Sequence, residues 1–181
     1  MHKNFSSSNV VLYCIARPFI MHTNQHIESN YSTYNAESEL EKDEVALIGH
    51  ARKACETSYS PYSNFQVGAA LLLENGEIVI GSNQENSCYP AGLCAERVAL
   101  FSAGVSHGEV KIKKIAVTAK RRSEASYVPV TPCGSCRQVM LEYEVKQEEP
   151  IEIIMQISES EWVKVYSASV LLPFCFNKSA L

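Results

Sequence analysis

Three cysteines and a glutamate stand where metal chemistry could be done. They are Cys94, with Glu96 two residues on, and the pair Cys133-Gly-Ser-Cys136. A Cys-x-x-Cys pair at the junction of a loop and a helix turns both sulfurs toward one point and makes half of a zinc site. A redox dithiol is the rival reading of the same spacing. Cys94 shifts the balance, because it too begins a helical pattern and supplies a third thiol. Three thiolates leave a tetrahedral zinc one open position for water, and Glu96 beside it is a carboxyl able to carry protons. That is the arrangement of a hydrolytic zinc site. A closed site would need a fourth ligand. A helix would carry His107 ~15 Å or more from Cys94, and His50 sits inside another helical pattern. Cys88, in the loop upstream of Cys94, is the credible fourth ligand. On residue types alone, the closed site and the metal-free redox pair both stay open.

Charge must be managed at such a site. Three thiolates around a divalent ion leave a net negative charge, which blunts the acidification of water. Helix N-termini behind Cys94 and behind the Cys133/Cys136 pair would oppose it, and so would Arg97 next to the first ligand. As a bare residue, Arg97 also reads as an ordinary surface cation. Asn83 and Glu85, just past a strand end, are polar groups placed to grip a sugar or simply to cap a loop.

Elements must position these groups. Residues 1–37 are rich in Ser and Asn, hold His2, His22 and His26, and read as a disordered N-terminal extension, with Met21 as an alternative start. A single domain is expected over 38–181. Ser38-Glu-Leu-Glu41 has the form of a capping box. Behind it Leu40, Val45, Ile48, Ala51 and Cys55 predict a helix over 39–57. Two apolar runs, 67–73 and 78–80, joined by Asn75-Gly76, predict a hairpin. A helix is expected from Cys94 to about Gly104, a buried strand over 112–119, and a second site-bearing helix over 133–143. Strands over 151–157 and 162–166 and a short helix over 168–172 complete the order. This predicts an α/β fold, a mixed sheet of about five strands flanked by helices.

Composition excludes several classes. The chain has 16 Lys+Arg against 20 Asp+Glu, a formal net charge of −4, which disfavours a nucleic-acid polymer as partner. Its longest N-terminal apolar run, 10–16, is far short of the ~20 residues needed to span a membrane. Seven cysteines, an odd number, fit a reducing compartment better than a disulfide framework, so a cytoplasmic location is expected.

The motifs also resemble a family. Cys94-Ala-Glu96-Arg97 with Pro132-Cys133-Gly-Ser-Cys136 is similar to the small, homotetrameric, zinc-dependent cytidine deaminases. So are Ser60-Pro-Tyr-Ser-Asn-Phe65, Asn83-Gln-Glu85-Asn86 and the C-terminal Leu171–Phe176. The resemblance spans about residues 40–176. It implies a three-layer fold and one zinc per chain on Cys94, Cys133 and Cys136. It further implies hydrolysis of cytidine and deoxycytidine to uridine and deoxyuridine, with Glu96 as proton carrier. A modified cytosine nucleoside such as blasticidin S is the alternative substrate. By the same resemblance Asn83 and Glu85 hold the ribose, Phe65 and the Ala95 backbone meet the base, and Arg97 supports the ligands. Tyr89 and Phe176 would serve an adjacent subunit's site. The extension, a longer Lys120–Val130 loop, and Glu159-Ser-Glu161 before the Trp162 strand depart from the family pattern.

Overall fold

The computed structural model of the chain describes residues 29–178. Among these, seven strands form one sheet: β1 (Tyr31–Tyr34), β2 (Phe65–Leu73), β3 (Ile78–Ser82), β4 (Ile112–Arg121), β5 (Tyr127–Val128), β6 (Glu152–Gln156) and β7 (Trp162–Val165). Three α-helices cover it: α1 (Lys42–Cys55), α2 (Ala95–Ser106) and α3 (Gly134–Gln147). The sheet order is β1-β7-β6-β4-β2-β3, with β5 paired to β4. β4 and β6 run parallel and the other pairs antiparallel.

Successive strand side chains point to opposite faces, and this divides the core. Leu71 of β2, Ile115 and Val117 of β4, and Ile153 of β6 pack with Ala99 and Leu100 of α2 and Met140 of α3. The alternate residues Ala70, Ala116 and Ile154 meet Leu47, Ile48 and Ala51 of α1. Helices therefore cover both faces, giving three layers. Two glycines allow the close approach. A Cβ at Gly68 would lie 2.0 Å from the Ala51 carbonyl oxygen, and one at Gly81 would lie 2.4 Å from the Ala99 nitrogen. Gly81 thus seats the first turns of α2, which carry the candidate chemistry, directly on β3. The Asn75-Gly76 hairpin forms as expected, with Gly76 at φ +85° and β2 paired to β3 from Gly68↔Ser82 to Leu72↔Ile78.

Three expectations need correction. The sheet has seven strands, not about five; β1 and β5 are the additions. β5 spans only two residues, too few to show a period. β1 lies inside the segment read as a disordered extension, so order begins before residue 38. It pairs antiparallel with β7, from Tyr31↔Val165 to Tyr34↔Trp162. Its sequence, Tyr-Ser-Thr-Tyr, is marked by pairing with a strand at the other end of the chain rather than by an apolar face. Residues 1–28, with Met21 and Cys14, lie outside the described residues.

The third correction concerns the start of α1. The capping box is built by Glu41 and Glu44, not Ser38 and Glu41, and residues Glu37–Glu39 form a 3-10 turn. Glu44 is fully buried, and its carboxylate also takes Lys164 at 2.8 Å and Lys114 at 3.0 Å. A buried carboxylate needs those partners, and this tertiary network sets where the helix begins. Near the C-terminus the expected short helix is present as a 3-10 helix, Ala168–Leu171.

Candidate metal centre and active site

Two helix starts meet at one point. Cys94 is the N-cap of α2 and Cys133 the N-cap of α3, with Cys136 in the first turn of α3. Their sulfurs all lie within 4.8 Å of one another, with Cys94 to Cys133 at 3.7 Å and Cys133 to Cys136 at 3.4 Å. Cys136 is buried, Cys94 half-buried and Cys133 exposed. Among the described residues, Cys88 does not join this cluster, and His50 is exposed on α1. The open three-thiol arrangement is therefore the one assembled.

Both helix dipoles place partial positive charge at the sulfurs. Arg97 adds to it, with Nη2 3.7 Å from Cys94 Sγ and 3.4 Å from the Gly92 carbonyl oxygen, while its buried Nε has no partner. Hydrogen bonding from the Cys136 thiol, aided by Arg97 and opposed by burial, brings the Cys94 thiol down to about 5. Cys136 is driven the other way, first by its bond to Cys94 and then by burial. Packed this closely, the thiols cannot all ionise without a cation among them, and a divalent metal meets that demand. The donor set fits zinc, which favours thiolates.

Glu96, the second residue of α2, is only 3% exposed. Burial, and next the charge on Cys94, raise its proton affinity. It borders an open cavity of about 660 Å³, together with Cys94, Cys133, Arg97, Asn83, Glu85 and Tyr89. That volume lies in the range of small-molecule sites, ~300–1,000 Å³. Seven of the residues singled out from the sequence thus line one cavity.

Four others do not line it. Cys136 lies buried beneath, and Ala95 is fully buried at the start of α2. Phe65, half-buried at the start of β2, meets the site through its backbone, its carbonyl accepting from Asn83 Nδ2 at 2.9 Å. Phe176 is 60% exposed, and its carbonyl accepts from Gln138 Nε2 at 2.8 Å.

Other residues went unassigned in the sequence. Tyr62, Ser63, Val67, Val130 and Thr131 also border the cavity. Tyr62 and Ser63 sit in a segment quoted for its resemblance, but only their fold contacts reveal a role. Arg137 clasps the Pro132 carbonyl with Nε at 2.8 Å and the Leu171 carbonyl with Nη1 at 3.1 Å. It ties the turn before Cys133 to the C-terminal segment, and its place directly after Cys136 was the available signal.

The comparisons agree with this geometry. Residues 41–148 match the family described as the cytidine and deoxycytidylate deaminase zinc-binding region. The chain is 42% identical over 139 residues to the cytidine deaminase of Sporosarcina psychrophila, covering 77% of this chain and 95% of that protein. It is 49% identical over 100 residues to that of Halalkalibacterium halodurans, covering 55% and 71%. Among solved structures, cytidine deaminase from Burkholderia pseudomallei superposes with a TM-score of 0.60 at 41% identity, over 72% of this chain and 97% of that one. The Mycobacterium tuberculosis enzyme gives a TM-score of 0.60 at 33% identity, over 76% and 99%. The thiol trio and the matched zinc-binding region fit one zinc per chain. With motif, fold and metal-binding residues in agreement, this chain belongs to the cytidine and deoxycytidylate deaminase family.

Proposed function

We propose that the zinc-loaded protein hydrolyses cytidine and deoxycytidine to uridine and deoxyuridine with release of ammonia, in pyrimidine salvage. The observation that carries this reading is the buried Glu96 carboxyl beside a converged trio of thiols, on a cavity of nucleoside size. The names of the relatives favour cytidine over a modified nucleoside of the blasticidin S kind.

Cys94, Cys133 and Cys136 would hold the zinc, which when bound would supply the Lewis acidity that makes water a nucleophile near neutral pH. Glu96 does the proton work. Its carboxyl oxygen takes a proton from the attacking water as the C4–O bond forms, and gives one to ring N3. It then takes the proton of the new C4 hydroxyl and delivers it to the amine nitrogen, so that the C4–N bond breaks, the C4 carbonyl forms and ammonia leaves. The raised proton affinity of Glu96 suits a group that must hold a proton between those transfers. Asn83 and Glu85 grip the sugar, Phe65 holds Asn83 in place through its carbonyl, the Ala95 backbone meets the base, and Arg97 draws charge from Cys94.

Assembly belongs to the same proposal. Tyr89 and Phe176 are 78% and 60% exposed, which supports their serving a neighbour's site in a homotetramer. Sedimentation reads that state directly. Among the described residues no helix is long and apolar enough to cross a membrane. A site of three thiols is best kept in a reducing compartment, and we place the protein in the cytoplasm.

The test is ammonia release from cytidine, deoxycytidine and blasticidin S, with zinc quantified in the same samples. Glu96→Gln is expected to keep zinc and fold while turnover falls by at least ~10²–10⁴-fold. A variant with near-normal kcat refutes the role given to Glu96.

A further inference from the structure

Hydrogen bonds within the protein nearly saturate the sugar-side wall of the cavity. An asparagine amide offers two acceptor and two donor positions. Asn83 Oδ1 accepts from Ser58 Oγ at 2.6 Å and from the Val67 N–H at 2.9 Å, and Nδ2 donates to the Phe65 carbonyl at 2.9 Å. One N–H remains free for a ligand. Glu85 is held as tightly. Its Oε2 accepts the N–H groups of Tyr62 at 2.9 Å and Ser63 at 3.3 Å, and its Oε1 accepts the Ser63 hydroxyl at 2.5 Å. Burial works against its charge, but those bonds hold the carboxyl below its ordinary range, so it is an anionic acceptor at neutral pH. Both residues border the cavity. A fixed donor and a fixed acceptor on one wall are the complement of a hydroxyl, which needs one of each.

Ser63 is the part of this arrangement that can vary. Its oxygen donates to Glu85 and also accepts the Phe65 N–H at 3.0 Å. The backbone on either side is strapped. Asn64 takes a left-handed turn at φ 55°, which Asn tolerates. Its N–H bonds the Ser60 carbonyl at 3.1 Å, and its own carbonyl accepts from the Arg122 N–H at 2.9 Å. The Ser63 hydroxyl is thus the only side-chain donor bonded to the Glu85 carboxylate among the described residues.

We propose that Ser63 is a specificity-setting positioning residue: its hydroxyl orients the Glu85 carboxylate so that one lone pair faces the bound sugar, and the site thereby discriminates nucleosides by a single hydroxyl. The proposal rests on the cytidine deaminase reading above. A serine that merely capped the loop through the Phe65 N–H would, when lost, weaken every nucleoside alike.

The experiment uses zinc-loaded wild type, Ser63→Ala and Ser63→Thr. It measures kcat and KM for cytidine and for its counterparts lacking the 2′- or the 3′-hydroxyl, and titrates the Glu85 carboxyl by ¹³C NMR. Ser63→Ala is expected to raise KM for cytidine roughly fivefold to tenfold, the cost of misaligning the Glu85 acceptor for one hydrogen bond at a wet site. kcat should stay within about twofold, the pattern of lost uniform binding. Ser63→Thr, which keeps the hydroxyl, should restore KM. The counterpart lacking the hydroxyl read by Glu85 should show the same KM in wild type and Ser63→Ala, and Glu85 should titrate at higher pH in Ser63→Ala. Equal loss for all three nucleosides, no loss for any, or an unmoved Glu85 titration overturns the proposal while leaving the functional reading intact. Wild type that releases no ammonia from cytidine overturns that reading, and the proposal with it.

Discussion

Gly81→Ala tests how tightly the chemistry depends on packing of backbone against backbone. The added Cβ would sit 2.4 Å from the Ala99 nitrogen and 2.5 Å from the Ala95 carbonyl oxygen, whereas ordinary contact begins at 3.4 Å. Both atoms belong to the backbone of α2, so no side chain can swing aside. The helix must withdraw from β3 by about 1 Å, the difference between those two distances. Cys94 and Glu96 ride on the first turn of that helix, while Cys133 and Cys136 stay with α3. A misplacement of ~1 Å at reacting groups costs ~10²-fold in turnover, and overpacking costs ~1–3 kcal/mol of stability. The assay is ammonia release from cytidine well below the melting temperature, with zinc content and circular dichroism on the same samples. The control is Gly49→Ala in α1, where an added Cβ meets nothing within 4 Å; alanine in a helix should there be neutral to stabilising. A folded Gly81→Ala protein with wild-type kcat would refute the claim that β3 seats the catalytic helix.

Cys133→Ala should lose zinc and activity together, because two thiols on separate helices make a poor tetrahedral site; full zinc occupancy by atomic absorption contradicts the ligand assignment. Glu44→Gln should strand Lys164, whose side chain is 6% exposed and has its near carboxylate at 2.8 Å, and breaking such a buried pair costs ~3–5 kcal/mol. For a domain of this size each kcal/mol moves Tm by ~2–4 °C, so calorimetry should show a drop of many degrees at neutral pH. The pH dependence has a definite sign. Burial would raise the Glu44 carboxyl, but Lys164, the Glu41 N–H and Lys114 together hold it below 4.5. Its stabilisation is therefore complete above pH 4.5 and is lost as the pH falls through the lowered value. The variant should lack that part of the acid transition, and matching acid profiles would show that the network contributes nothing.

The residue types and their spacing carried the chemistry: three thiols in loop-to-helix settings, a carboxyl two residues from the first, and a hairpin marked by Asn75-Gly76. These signals are local, because a turn, a helix start or a ligand pair is decided within a few residues. Of the elements on which the site depends, α2 was legible from its apolar spacing, β4 from its apolar run and α3 from the Pro132 that leads into it, for the same reason. Features settled by distant partners were not. β1 exists because β7 offers a free edge to Tyr31–Tyr34. α1 begins at Lys42 because Glu44 is buried against Lys164 and Lys114. Ser63 gained a role only when folding brought Glu85 to its hydroxyl, and Arg137 only when Leu171 came within reach. Which thiol sits buried and which faces the cavity was likewise decided by the crossing of α2 and α3. A sequence states which groups can ionise, ligate or turn a chain; the free energy that orders them in space comes from contacts between segments far apart along it.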